Sequence, residues 1–154
     1  MTVPVVAPLV VATIACVTDL RTRRIPNVLT FGAAAGACGF YLADRGLGGL
    51  GWSAAGWLVG GLLFLPLFAL RGLGGGDVKL LAALGAWMGT SALLPIVLLS
   101  SLIGAVVGGA FLAIRGHDRA TPIPFGPFIA AAGWVQFVFG DQIMAVYRQT
   151  FGLA

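Results

Sequence analysis

Apolar residues occupy six long stretches of the chain, and most polar and charged residues lie in the short segments between them. The stretches are continuous rather than alternating, which favours helices over the strands of a membrane barrel. Crossing a bilayer takes about 20 apolar residues in a helix, and the fourth stretch is short for a span. The stretches are Val3 to Thr18, Val28 to Ala43, Trp52 to Leu70, Leu80 to Met88, Leu93 to Ile114 and Ile123 to Phe139.

The composition excludes an ordinary soluble domain. Of the 154 residues, 59% are hydrophobic and only 9% are charged, too few to form a polar surface. We therefore predict an all-α, polytopic membrane helix bundle of about six transmembrane helices, forming a single domain over residues 1–154. The 24 glycines include pairs four residues apart, such as Gly56 and Gly60, which predict close helix packing.

The basic residues are divided unevenly between the two ends of the predicted bundle. Only Arg45 and Arg148 fall on one side, so the positive-inside rule predicts that both termini are external and the other side is cytoplasmic. These charges are split among short loops, which excludes a nucleic-acid surface. The seven residues on the predicted cytoplasmic side are Arg21, Arg23, Arg24, Arg71, Lys79, Arg115 and Arg119.

Five aspartates supply all the acidic charge of the chain. Asp44 and Asp141 fall at predicted outer helix ends and Asp118 lies in a basic loop, positions typical of solvated charges. Asp19 and Asp77 differ, because each adjoins an apolar stretch at the same predicted membrane boundary. The single histidine, His117, lies in a polar loop and is predicted to be a surface residue.

Each of these two boundary aspartates also has an ordinary structural interpretation. Asp19 could pair with Arg23 four residues later, and Asp77 could cap the N-terminus of a helix. Taken together, two neighbouring carboxylates can share one proton, so that one acts as a general base on water while the other donates a hydrogen bond. The predicted helix ends place Asp19 at a C-terminus and Asp77 at an N-terminus, which predicts the higher pKa for Asp19.

Three glycines, Gly74, Gly75 and Gly76, precede Asp77. They permit a sharp turn and the close approach of a substrate backbone, but a flexible connector or a phosphate-binding nest has the same sequence. Two other functions stay open at this point: a small proton-coupled membrane carrier, in which the boundary aspartates would move protons, and a phosphate-handling membrane enzyme, in which the glycine loop would bind phosphate.

Three segments, "DLRTRRIPN" (19 to 27), "GGGDVKLLAALGAWMG" (74 to 89) and "TPIPFGPFIAAAG" (121 to 133), resemble the signature stretches of the type IV prepilin peptidases, membrane aspartic peptidases of the GxGD type. The resemblance implies a helical bundle that removes the leader peptide of prepilin or pseudopilin substrates at the cytoplasmic face of the bacterial inner membrane. It implies Asp19 and Asp77 as the catalytic pair, without a metal or cofactor.

The resemblance also assigns neighbouring positions. Gly74 to Gly76 would shape the active-site loop, and Lys79 matches a basic position after the second aspartate, although snorkelling to the interface explains it equally well. The prolines at 26, 122, 124 and 127 would have structural roles at helix starts. Because no paired-cysteine domain is present, the chain looks like the short, peptidase-only kind associated with tight-adherence or Flp-type pili, and we expect no methyl transfer.

Overall fold

The computed structural model describes residues 3–70, 72–115 and 124–151, and these residues form five helices without strands. The all-α fold class is therefore confirmed for the described residues. The predictions made for Arg71, His117, Asp118, Arg119 and Pro122 lie outside them, as does the C-terminus at Ala154. The helices are α1 (Val3–Thr22), α2 (Asn27–Ala69), α3 (Gly75–Met88), α4 (Thr90–Arg115) and α5 (Gly126–Phe151).

Helix α2 is a hairpin rather than one straight rod. Its backbone leaves helical geometry at Gly46, where φ is 64° and ψ is −150°. The Cys38 sulfur lies 3.6 Å from the Ser53 hydroxyl, whereas 15 residues of straight helix would separate them by about 22 Å. The chain therefore reverses at Gly46, a conformation that glycine adopts readily because it lacks a Cβ.

Each half of α2 is long enough to cross a membrane, at about 28 Å for residues 27–45 and about 34 Å for residues 47–69. By length and composition, Asn27–Ala69 and Thr90–Phe111 both qualify as candidate membrane spans. Large apolar side chains face outward, including Val28, Leu62 and Leu102 at 86%, 60% and 62% exposure. That surface is compatible with a membrane bundle, while the number of spans and the location of the termini stay predictions.

Helix α3 lies at the centre of the bundle. Every residue from Leu80 to Trp87 is buried, which explains why the fourth apolar stretch is apolar on all sides. At about 21 Å, α3 is shorter than a bilayer core is thick. It is followed at once by α4, through Gly89 with φ 80°, where a Cβ would overlap the Trp52 indole.

Glycines bring α2 and α3 into backbone contact. A Cβ on Gly56 would collide with the Gly85 carbonyl oxygen, and one on Gly60 would lie 2.7 Å from the Leu81 carbonyl oxygen. The predicted role of Gly56 and Gly60 in close helix packing is thus confirmed. Small side chains allow this approach where lipid-facing helices gain little from hydrophobic burial.

The last helix differs from its prediction. Helix α5 runs on to Phe151, beyond the end of the apolar stretch at Phe139, so Asp141 lies within a helix and not at its end. The residues after Gly140 can be polar and still helical, because the backbone hydrogen bonds of a helix form within the helix itself. Asp44 agrees better with its prediction, since it is 49% exposed in the ion pair with Arg45.

Candidate active site

Asp19 lies in the last turn of α1, which ends at Thr22. Arg23 takes a left-handed backbone conformation with φ 52°, and this turns the chain away from the helix. The described residues contain no ion pair between Asp19 and Arg23, so that interpretation of Asp19 is wrong. The Asp19 carboxylate is 6% exposed and its Oδ2 instead accepts a hydrogen bond of 3.0 Å from the Gly126 N–H.

Asp77 belongs to the first turn of α3. Gly74 is the N-cap, with an extended backbone, and Asp77 is three residues further on. Its Oδ2 accepts a hydrogen bond of 3.0 Å from the Gly74 N–H, and its own N–H donates to the Gly74 carbonyl oxygen at 3.1 Å. The prediction that Asp77 is the N-cap is therefore wrong. The helix begins three residues earlier, with Gly74 as the N-cap, because the glycines allow the chain to enter the helix there.

The glycines of this loop are closely packed rather than free. A Cβ on Gly76 would lie 3.1 Å from the Ile25 Cβ, and one on Gly75 would lie 3.4 Å from the Phe68 ring. Ile25 follows the end of α1 and Pro26 is the N-cap of α2, so the loop fits against the segment that connects these helices. The flexible-connector interpretation does not fit this packing.

A cavity of about 570 Å³ joins the three sequence segments. Both carboxylates contribute to its wall, and so do the glycine loop and the segment before α5. Asp77 is 7% exposed, so neither acid is a freely solvated surface charge. The lining residues are Asp19, Arg23, Arg24, Ile25, Pro26, Asn27, Gly74, Gly75, Gly76, Asp77, Pro124 and Phe125.

The two carboxylates have raised pKa values, and both lie outside the expected membrane spans. Burial raises the pKa of Asp77 to about 6; the hydrogen bond from Gly74 opposes the rise and the Asp19 carboxylate adds to it. Burial also raises the pKa of Asp19, against the hydrogen bond from Gly126. At Asp77 desolvation thus outweighs the helix N-terminus, which by itself lowers the pKa of a carboxylate; the predicted order of the two pKa values stays a prediction.

Lys79 does not line this cavity. Its Nζ donates a hydrogen bond of 2.9 Å to Asn27 Oδ1 and lies 5.6 Å from the centre of the Phe31 ring. The side chain therefore connects the starts of α3 and α2 instead of extending freely towards an interface. Snorkelling is not needed to explain Lys79, and its contact with the cavity is through Asn27, which lines it.

The hydrogen bond from Gly126 to Asp19 is the feature of the site that the sequence did not predict. In the sequence, the motif around Gly126 predicts structural roles for its prolines and no role for Gly126. Asp19 and Gly126 are 107 positions apart. Every residue except proline has a backbone N–H, so the type of residue at position 126 does not reveal this hydrogen bond.

Comparisons with known proteins agree with these features. Residues 6–109 match the model of the Type IV leader peptidase family. A protein of Aeromonas hydrophila, named prepilin leader peptidase/N-methyltransferase, is 40% identical over 140 residues, covering 86% of this chain and 48% of that protein. Proteins of the same name from Xanthomonas campestris pv. campestris and Pseudomonas aeruginosa are 55% and 49% identical over 91 and 90 residues.

The extent of these matches is uneven. The Xanthomonas and Pseudomonas matches cover 59% and 58% of this chain but 32% and 31% of those proteins. The chain thus spans about half or less of the length of these curated relatives. No solved structure matches it.

Proposed function

Because this chain belongs to the type IV leader peptidase family, we propose that it is an aspartic endopeptidase that removes the leader peptide of prepilin-like proteins. The observation that carries this proposal is the pair of buried carboxylates, Asp19 and Asp77, in the wall of one cavity. Co-expression with candidate prepilins tests it, because a peptidase shortens the prepilin by its leader and an inactive protein leaves it intact.

In the proposed reaction the pair holds one proton. One acid carries that proton and donates a hydrogen bond to the scissile carbonyl. The other is the ionised base that accepts a proton from water as the water oxygen bonds to the carbonyl carbon. The carbon–nitrogen bond of the resulting tetrahedral intermediate then breaks, and the leaving amine takes up a proton from the pair.

The site argues against a phosphate-handling enzyme, and the comparisons do not support a carrier. A phosphate in the glycine loop would compete with Asp77, since the Gly74 N–H already binds that carboxylate. Phosphate and a buried carboxylate also repel each other. The proton-coupled carrier has no support from the comparisons, whose family model and relatives are peptidases by name. Methyl transfer, which the relatives' names also state, is not proposed for this chain.

The substrate is proposed to be a prepilin or pseudopilin, in line with the names of the relatives. We place the cavity at the cytoplasmic face of the bacterial inner membrane, because the exposed Arg23 and Arg24 are among its lining residues. A substrate anchored in the same bilayer would then bring its cytoplasmic leader to the two aspartates.

Reporter fusions test this orientation. Fusions after Arg24 and Lys79 are expected to report a cytoplasmic location, and a fusion after Arg45, at the reversal of α2, is expected to report an external one. A fusion at Ala154 is also expected to be external. A cytoplasmic signal at Ala154 would contradict the arrangement of six spans with both termini outside.

Asp77→Asn is expected to stabilise the protein at neutral pH while inactivating it. Because the folded-state pKa of about 6 exceeds the ordinary value of 3.8, ionisation of Asp77 opposes folding above pH 6. Asparagine removes this penalty, which is on the order of 1–3 kcal/mol. Unfolding in detergent should show the variant as the more stable protein at pH 7.

The pH dependence of that difference provides the control. As the pH falls from about 6 to about 4, Asp77 of the native protein binds a proton that the unfolded chain lacks, and the advantage of the variant should shrink. The exposed Asp44→Asn is expected to change stability little at either pH. A variant advantage that is constant with pH would contradict a raised pKa for Asp77.

A further inference from the structure

A helix other than its own, α5, contributes to the surroundings of Asp19. The residue lies at the C-terminal end of α1, yet its Oδ2 is bonded to Gly126, the first residue of α5. The N-terminus of a helix carries a partial positive charge and unpaired N–H groups, so α5 supplies the favourable helix end that α1 cannot offer.

The start of α5 leaves the Gly126 N–H available for this purpose. The N–H groups of Phe128 and Ile129 both donate to the Phe125 carbonyl oxygen, at 3.0 and 3.3 Å. Pro127, between them and Gly126, has no N–H. Within the first turn of α5, the Gly126 N–H is therefore the group that donates a hydrogen bond to the Asp19 carboxylate.

Position 126 leaves little room for a side chain. A Cβ there would lie 2.7 Å from Asp19 Oδ2 and 3.1 Å from Ile25 Cδ1. The first of these is closer than real Cβ contacts, so a side chain must displace either the carboxylate or the start of α5. Gly74 has the same relation to Asp77, with its N–H on Oδ2 and its Cβ position 3.3 Å from that oxygen.

We propose that Gly126 is a positioning residue for the reaction, holding Asp19 by one carboxylate oxygen as Gly74 holds Asp77. This inference rests on the proposed function and adds to it a residue beyond the 6–109 stretch that matches the family model. Among the described residues, neither carboxylate has a hydrogen bond to Oδ1. Each acid thus keeps one oxygen for water, the shared proton or the substrate.

Gly126→Ala tests the proposal by two measurements. Leader cleavage should fall in kcat by about 10²-fold with KM little changed, the size of effect caused by a displaced catalytic group. The pKa of Asp19, measured by infrared spectroscopy in the Asp77→Asn background, should rise because the hydrogen bond that lowers it is lost. In this background the Asp77 charge is absent from both proteins compared, and the other charged groups that line the cavity with Asp19, Arg23 and Arg24, are unchanged.

Gly133→Ala is the matched control within α5, because its Cβ would make an ordinary contact of 3.4 Å with Leu84. It should retain the native kcat and the native Asp19 pKa. If Gly126→Ala does not fold, glycolic acid incorporated at position 126 replaces the N–H with an ester oxygen and adds no Cβ. The same rise in the Asp19 pKa is expected.

The outcomes separate this inference from the proposed function. Native kcat and an unchanged Asp19 pKa in the Gly126 variants would overturn the positioning role while leaving the peptidase intact. Absence of cleavage by the unmodified protein would count against the peptidase, yet the Asp19 pKa would still report on the Gly126 hydrogen bond. A loss of kcat with an unchanged pKa in the ester variant would also overturn the role.

Discussion

Asp19→Asn and Asp77→Asn are each expected to reduce leader cleavage by roughly 10³-fold or more, the range for removal of a general acid–base group. Asparagine has nearly the same shape and can still accept the hydrogen bond from Gly126 or Gly74. It cannot take up a proton from water or share one with its partner. Incubating purified protein with a prepilin in detergent and following the shortened product by mass spectrometry measures the effect.

The same experiment needs controls that keep the membrane fold. Asp44→Asn and Asp141→Asn remove exposed carboxylates and should cleave at the native rate. The double variant of Asp19 and Asp77 should be no worse than either single one, because the two acids act as a unit. Turnover within a few-fold of native by either single variant would show that the pair is not catalytic.

Gly56→Ala is expected to lower the stability of the bundle by about 3 kcal/mol, at the upper end of the usual cost of overpacking. The added methyl group would collide with the backbone carbonyl of Gly85, and a backbone atom cannot rotate away as a side-chain end can. Helices α2 and α3 must therefore separate. Because α3 carries Asp77, cleavage should decline as well.

Gly61→Ala provides the matched comparison in the same helix. Its Cβ would meet the nearest neighbour, Ala82 Cβ, at an ordinary 3.8 Å. Alanine also has the better helix propensity, so this variant should be neutral or slightly more stable. Thermal unfolding of both variants in one detergent measures the difference. Equal stabilities would contradict the close crossing of α2 and α3 at Gly56.

The sequence by itself determined the class of fold and distinguished Asp19 and Asp77 from the other three aspartates. Continuous apolar stretches can satisfy their backbone groups in lipid only as helices, so the helical class followed from hydrophobicity alone. Asp19 and Asp77 were recognisable because charge is scarce in this chain and each adjoins an apolar stretch. The glycines four apart, Gly56 and Gly60, likewise indicated a close helix contact, although not that α3 is the partner.

Only the tertiary structure decided how these parts act on one another. The Gly126 N–H reaches Asp19, and Lys79 reaches Asn27, across 107 and 52 positions of chain. Sequence periodicity reports which face of a helix is apolar, but not which helix end meets a distant side chain. The raised pKa of Asp77 has the same origin: a helix terminus is a local property, whereas desolvation of Asp77 depends on every segment packed around it.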